Sequence, residues 1–356
     1  MKSLGVMEIF YGQPWSETDR LAYAQFLKDI GMGFYIYGPK ADECLRKNWR
    51  LAPSKEELDK YRKIRDVYHR QGLQFGIILS PHGLDGGFDL AARRALQEKV
   101  KILNDVGLDY FGLFFDDMKS APDLADKQIE IASVASASTN AKLIFCPSFY
   151  CYDPLLEMLF GDRPTDYLEK LGRELPSNVE ILWTGEQIIS SEISAEHLLA
   201  VSDTLRRKPF ICDNFFADDG PMNCNMLKLV PPTGRSRDAF SKASGWAFNP
   251  MNQAHLSKLV LLATMKHLTG GHEPIAAFVE AVRTSLPPRL AEFIVSNAEV
   301  FATGGLEVLP ETEREKLRDD LAEFATNPYA MEIIRWLNGD FIVDFGAMIE
   351  QSCYVG

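Results

Sequence analysis

Tyr110-Phe111-Gly112-Leu113-Phe114-Phe115-Asp116-Asp117 is an apolar run closed by two adjacent carboxylates. Almost unbroken apolar character, rather than alternation, marks a strand covered on both faces, the habit of a parallel sheet wrapped by helices. Acids that end such a strand stand at the mouth of a core, where burial can tune their ionisation and a ligand can reach them. Seven more runs have strand character: residues 4–10, 33–37, 74–79, 142–146, 179–183, 209–213 and 245–249. With 110–115 they make eight.

Helix signals fill the intervals. Ser16 with Asp19, and Ser54 with Glu57, have capping-box spacing, in which the hydroxyl accepts from an orphan backbone N–H and the acid reaches back. Behind them Tyr23, Phe26, Leu27 and Ile30, then Leu58, Tyr61, Ile64 and Tyr68, form stripes that would lie on a sheet. Residues 90–106 behave likewise through Leu96, Val100 and Leu103, and stop at Gly107, a residue suited to the left-handed turn after a helix. Strict alternation of strand and helix implies parallel pairing, and eight such units close a (β/α)8 TIM barrel. A doubly wound open sheet is the alternative, disfavoured because eight units exceed its usual size and no Gly-rich phosphate loop follows the first strand. After residue 249 the pattern changes: residues 254–268 predict an almost wholly apolar helix, and only helical patterns follow Gly270-Gly271. The expected division is an α/β barrel over residues 1–270 and a small C-terminal helical region over 271–356, a candidate for assisting homodimerisation.

Composition narrows the partners. At 356 residues and 46% apolar content the chain can bury a large core, and its net charge of -12 comes without a Lys/Arg-rich tract. Nucleic-acid backbones and anionic membrane surfaces need clustered positive charge, so neither is expected as a partner. The opening residues enter strand-like sequence without a signal-peptide core, and no stretch is apolar enough to span a membrane, which together read as a cytoplasmic protein. The six cysteines form no CxxC pair and read as reduced thiols. The six histidines show neither HxH nor HExxH spacing, so no metal and no cofactor is expected.

Functional residues of a parallel barrel sit at the C-terminal ends of its strands. There the sequence offers residues 11–15 after the first strand, Lys40 and Asp42 after the second, Asp116 and Asp117 after the fourth, and Ser148 and Tyr150 after the fifth. Thr184 follows the sixth, Asp213, Asn214, Asp218 and Asp219 the seventh, and Asn249 the eighth. Read singly, Lys40 is a loop lysine, Tyr150 a core aromatic, and Asn214 and Asn249 are turn-forming amides. Converging, they suit a sugar, whose hydroxyls bond to carboxylates and amides while its apolar face packs on aromatic rings. Neighbouring strand residues face opposite ways, so Asp116 and Asp117 can both enter a cleft only if the ladder ends or bends there. Two close carboxylates would then divide into an acid and an anion.

These residues carry a family resemblance. Gly5-Val6-Met7-Glu8-Ile9-Phe10-Tyr11-Gly12-Gln13-Pro14-Trp15 resembles the opening of glycoside hydrolase family 84, the β-N-acetylglucosaminidases that include O-GlcNAcase and hyaluronidase-like bacterial enzymes. The similarity runs in order through Tyr37-Gly38-Pro39-Lys40, Leu113-Phe114-Phe115-Asp116-Asp117, Tyr150-Cys151, Trp183-Thr184-Gly185, Asp213-Asn214, Ala217-Asp218-Asp219, Gly234-Arg235-Ser236 and Asn249-Pro250. It implies a retaining exo-β-N-acetylglucosaminidase whose nucleophile is the substrate's own acetamido oxygen, through an oxazoline, the substrate-assisted exception to the two-carboxylate scheme. By position, Asp116 would polarise the acetamide N–H and Asp117 would protonate the leaving oxygen and later activate water. Tyr150 would bond the acetamide oxygen, Cys146 would lie near its methyl, and Asn214 would support the acetamide and acid region. Lys40 and Asn249 would bind ring hydroxyls, and Asp219 would hold O4 and O6. The implied partner is an N-acetylglucosamine-type glycoside or glycoconjugate.

Four positions depart from the family pattern. Ile9 replaces a glycine and could narrow the pocket or shift a backbone carbonyl beside the sugar. Cys212 replaces a tryptophan of the acetamido wall and should widen it. Phe149 replaces a polar residue, and Ala41 an acid. The alternatives are therefore the same mechanism on a different N-acyl amino sugar, and a non-catalytic glycan-binding protein on a degenerate barrel.

Overall fold

The computed structural model describes residues 4–84, 86–116, 118–344 and 346. Eight strands, β1 (Leu4–Glu8), β2 (Phe34–Tyr37), β3 (Gln74–Leu79), β4 (Tyr110–Phe114), β5 (Lys142–Cys146), β6 (Glu180–Trp183), β7 (Phe210–Asp213) and β8 (Gly245–Phe248), pair in chain order. All pairs are parallel, and β8 returns to β1 to close the barrel. Each strand expected from sequence is present, shortened by a residue or two where its end leaves the ladder.

Period two divides each strand between two cores. The inward set includes Met7, Phe34, Ile36, Ile78, Tyr110, Phe114, Ile144, Cys146, Leu182, Phe210, Cys212 and Ala247, a plug separate from the shell of outward residues that meet the helices. Rings of Phe34, Tyr110 and Phe210 meet across the barrel with centroids 5.3 to 6.5 Å apart. They fit because glycines flank them: a Cβ on Gly5 would strike the Phe34 ring, and one on Gly245 the Phe210 ring. A barrel so filled is a packed core, and any ligand must bind above it.

The helix Lys55–Arg70 carries the complete Ser54/Glu57 capping box. At Ser16 half of the expected box forms: its hydroxyl accepts from Asp19 N–H, while the Asp19 carboxylate turns to His255 Nε2 at 3.0 Å. Its other oxygen accepts from the Ser16 hydroxyl at 2.5 Å, so both carboxylate oxygens are occupied and neither reaches the Ser16 backbone N–H that a complete box would use. The helix predicted over 90–106 spans Leu90–Asn104, and Gly107 has the left-handed φ of 83°.

Of the helices that follow the apolar helix Ala254–Gly270, Pro274–Ser285 and Pro328–Leu337 pack on it, and the shell core continues into the C-terminal region through Phe301 and Trp336. Arg335 Nη2 donates to Gln13 Oε1 at 2.7 Å, tying the last described helix to the loop after β1. Among the described residues no helix is long and apolar enough to cross a membrane. The described cysteines, Cys44, Cys146, Cys151, Cys212 and Cys224, are buried, and no disulfide joins any two of them; Cys353 lies outside the described residues.

Glu332 joins the two regions. Its carboxylate accepts from the backbone N–H groups of His255 (2.9 Å) and Leu256 (2.8 Å), capping the first turn of Ala254–Gly270 from another helix. Burial pushes its pKa from 4.5 up to about 7, against the lowering effect of those bonds and of His255. A raised acid favours the folded state below the unfolded pKa and loses that advantage as pH rises through the folded one. Stability is therefore expected to fall between about pH 4.5 and 7, by up to roughly 3 kcal/mol at 1.36 kcal/mol per pKa unit. Thermal unfolding of Glu332→Gln at both ends of that range should show a flatter pH profile than the native chain.

Candidate active site

A cavity of about 770 Å3 opens at the C-terminal end of the barrel. Its wall includes Ile9, Lys40, Asp116, Cys146, Tyr150, Cys212, Asn214, Asp219 and Asn249, the residues singled out from sequence. Asp117 lies outside the described residues. Period two explains most of this convergence. Counting on from the inward residues gives Met7 to Ile9, Phe34 and Ile36 to Lys40, Phe114 to Asp116, Ile144 to Cys146, Leu182 to Thr184, Phe210 to Cys212 and Asn214, and Ala247 to Asn249. The ladder outlasts the strands themselves: Lys40 N–H donates to Phe10 O at 3.2 Å and Asn249 N–H to Asp213 O at 2.9 Å, which keeps those side chains in phase.

The end of β4 is built to stop. Phe115 N–H still bonds to Cys146 O at 2.9 Å, but Phe115 O is taken by the Ser148 hydroxyl (2.9 Å) and by Met118 N–H (3.1 Å). Ser148 is held in turn by Gln128 Nε2 at 2.8 Å. The ladder ends in a turn containing Asp116, as the adjacent acids required. Asp116 Oδ2 pairs with the Lys40 ammonium, which also lies 5.3 Å from the centre of the Tyr11 ring. Asp116 Oδ1 is buried and has no hydrogen-bond partner among the described residues. One oxygen is thus anchored by a cation, and the other is an open acceptor.

On the opposite side Asn249 Nδ2 donates to Asn214 Oδ1 (3.1 Å), and Asn214 Nδ2 donates to Ile188 O (2.9 Å). Asn214 spends both ends of its amide on the protein and acts as a brace. Asn249 Oδ1, by contrast, is a second buried acceptor without a partner among the described residues. Asp219 Oδ2 accepts from Tyr11 N–H at 2.8 Å, and burial pushes its pKa up. Asp218 sits behind, its Oδ1 accepting from Asn252 N–H (2.9 Å), with burial raising its pKa well above the ordinary carboxylate range. Asn252 also donates to Tyr11 O (2.8 Å) and Gln13 O (3.0 Å), so the loops after β1, β7 and β8 are locked together.

Several strand-end residues leave the cavity. Asp42 accepts from the hydroxyls of Tyr37 (2.7 Å) and Tyr61 (3.1 Å) with Lys60 at 3.8 Å, on the outer side of β2. Asp213 is wholly buried against Arg235. Phe149 and Ala41 do not line the cavity either: Phe149 packs edge-on to Phe160 and Tyr167 in the shell core, so its departure from the family pattern concerns packing rather than ligand contact. Sequence reasoning passed over a different group of wall residues, Asp153, Leu155, Leu159, Ile188, Ile189 and Met222. The signal for Asp153, Leu155 and Leu159 was Leu155-Leu156-Glu157-Met158-Leu159 after an Asp-Pro helix start, too apolar for an exposed segment.

One group of potential metal ligands occurs among the described residues, Asp42, Cys44 and Glu57. Its atoms are already engaged by Tyr37, Tyr61, Ser54 and by Lys99, whose ammonium lies 3.2 Å from Cys44 Sγ. The Lys99 ammonium thus supplies a positive charge beside the thiol of that cluster.

Residues 4–286 match the family model described as beta-N-acetylglucosaminidase. Protein O-GlcNAcase of Rattus norvegicus and that of Mus musculus are each 30% identical over 259 residues, covering 69% of this chain and 28% of theirs. The chain therefore spans little more than a quarter of the length of these curated relatives. A mutant O-GlcNAc hydrolase from Thermobaculum terrenum superposes with a TM-score of 0.74 at 26% identity, over 98% of this chain and 76% of the other.

Proposed function

The chain belongs to the beta-N-acetylglucosaminidase family, and on that premise we propose that it is a retaining exo-β-N-acetylhexosaminidase that works through an oxazoline intermediate. The observation that carries the reading is Asp116: Oδ2 is fixed by Lys40, and Oδ1 is a buried acceptor with no hydrogen-bond partner among the described residues. An acetamide N–H is the complement of such an atom. Accepting that hydrogen bond raises electron density on the acetamide oxygen, which attacks the anomeric carbon as the glycosidic C–O bond breaks. Asp117 gives its proton to the leaving oxygen, then takes one from the water that reopens the ring at the same carbon, so two inversions amount to retention.

The remaining roles follow from unspent hydrogen-bonding capacity. Asn249 Oδ1 can accept from a ring hydroxyl, whereas Asn214 holds the cleft together rather than binding sugar. Asp219 would take O4 and O6, with Tyr11 N–H orienting its carboxylate. Tyr150 would meet the acetamide oxygen. Cys146 and Cys212 belong both to the cavity wall and to the apolar plug beneath it, so an N-acyl chain would end on two small thiols. That placement favours a second reading, the same chemistry on an amino sugar with a longer acyl group, while Ile9 crowds the pocket from β1. Natural substrates would be N-acetylglucosamine-type glycoconjugates.

One experiment covers these readings. Aryl 2-acetamido-2-deoxy-β-glucosides should be hydrolysed with the β-anomer released first, and a thiazoline mimic of the oxazoline should inhibit competitively. In an N-acyl series, N-propionyl turnover equal to or above N-acetyl supports the wider acyl pocket. Ligand binding with no turnover of gluco- or galacto-configured substrates from about pH 4 to about pH 9 would leave a glycan-binding protein instead.

A further inference from the structure

The cavity is large for one amino sugar, at a volume typical of sites that enclose a drug-sized ligand. Its two halves differ in chemistry. Polar groups come from the ends of β1, β2, β4 and β8 and from the start of the β7 loop. The outer half comes from the loops after β5, β6 and β7 and presents Leu155, Leu159, Phe160, Ile188, Ile189 and Met222, with Gln187 and Asn223 as its polar members. Leu155, Leu159 and Met222 are 44%, 41% and 77% exposed, and Met158, on the same helix Pro154–Phe160, is 81% exposed. Large apolar side chains left in water around one opening mark a surface that meets a ligand.

That wall is joined to the sugar half. Asp153 accepts from Leu155 N–H (3.0 Å) and, through its other oxygen, from Ile188 N–H (3.3 Å), linking the β5 and β6 loops. Asn214 donates to Ile188 O on the other side. Among the described wall residues Lys40 is the one basic side chain, and Asp116 already pairs with it. An anionic aglycone would find no cation there, and a further sugar would find the amides of Gln187 and Asn223 set among a majority of apolar side chains. We propose that this wall is an aglycone subsite selecting glycosides with an alkyl or aryl group next to the glycosidic oxygen, an inference that rests on the hydrolase reading above.

Octyl, butyl and methyl β-glycosides of N-acetylglucosamine, the disaccharide chitobiose and a serine-linked glycopeptide with polar flanks would be compared by kcat/KM. Dissociation constants of the sulfur-linked octyl and methyl analogues, which resist hydrolysis, would be measured alongside. Octyl over methyl should exceed about tenfold in both measurements, the scale of a few buried methylenes. Leu155→Ser with Met222→Ser should bring that ratio near one, while Leu199→Ser, an exposed leucine outside the cavity, should leave it unchanged. Equal octyl and methyl values, or a preference for chitobiose or the polar glycopeptide, overturns the subsite even if aryl glycosides turn over. Chain-length dependence in binding without any hydrolysis upholds the subsite and rejects the catalytic reading.

Discussion

Asp116→Asn is expected to lower kcat/KM for an aryl 2-acetamido-2-deoxy-β-glucoside by about 10²–10³-fold, with most of the loss in kcat. The substitution keeps the shape of the side chain and removes its charge. Lys40 loses its counterion, and the amide presents either a weaker acceptor or a donor where the acetamide N–H must be received. In the proposed mechanism this interaction strengthens as positive charge grows on the acetamide in the transition state, so it should appear in the rate more than in ground-state binding. A variant that raises KM and spares kcat would show that Asp116 only binds sugar. Asp117→Asn, at a position outside the described residues, should differ in kind: if Asp117 is the proton donor as proposed, its loss should be severe for alkyl glycosides and mild for dinitrophenyl ones, whose leaving group needs no proton.

The largest expected loss of stability is at Arg235. Its side chain is buried, with Nε and Nη2 on the two oxygens of Asp213 at 2.7 and 2.8 Å and further bonds to the carbonyls of Ser190 (2.7 Å) and Ser191 (2.8 Å). Trp246 Nε1 adds a bond to Asp213 Oδ2 at 3.2 Å. Arg235→Met would leave an ionised carboxylate enclosed without its cation and several carbonyls without donors, a change that typically costs about 3–5 kcal/mol. Urea unfolding should show a lower midpoint with an unchanged slope. Adding Asp213→Leu should recover part of the loss, because the uncompensated charge is then gone too. Failure of the double variant to recover any stability would place the cost in the abandoned carbonyls of the β6 loop.

Much of the barrel is legible in the order of the residues alone. Runs such as 110–115 and 74–79 are covered on both faces, and a strand so covered needs helices on one side and a packed interior on the other. The inward parity of Met7, Phe34, Phe114 and Ala247 follows from the same local rule, and extending it by two residues reaches Ile9, Asp116 and Asn249, or by a few more Lys40. Asp42, Ser148 and Asp213 stand at strand ends just as plainly, yet the fold uses them as struts. Their fates rest on Tyr61, Gln128 and Arg235, each brought in from a distant turn of the chain.

The sequence by itself therefore determined the eight strands, their parallel closure and the polar rim above them, because the backbone's alternation is a local property. The tertiary structure alone decided which polar groups of that rim remain unspent. Asp116 Oδ1 and Asn249 Oδ1 stay open because folding brings no described donor within bonding distance of them, and the apolar wall from Leu155 to Met222 forms only when three separate loops meet. Hydrogen-bond satisfaction is settled by contacts between residues far apart in the chain, and no spacing rule contains them.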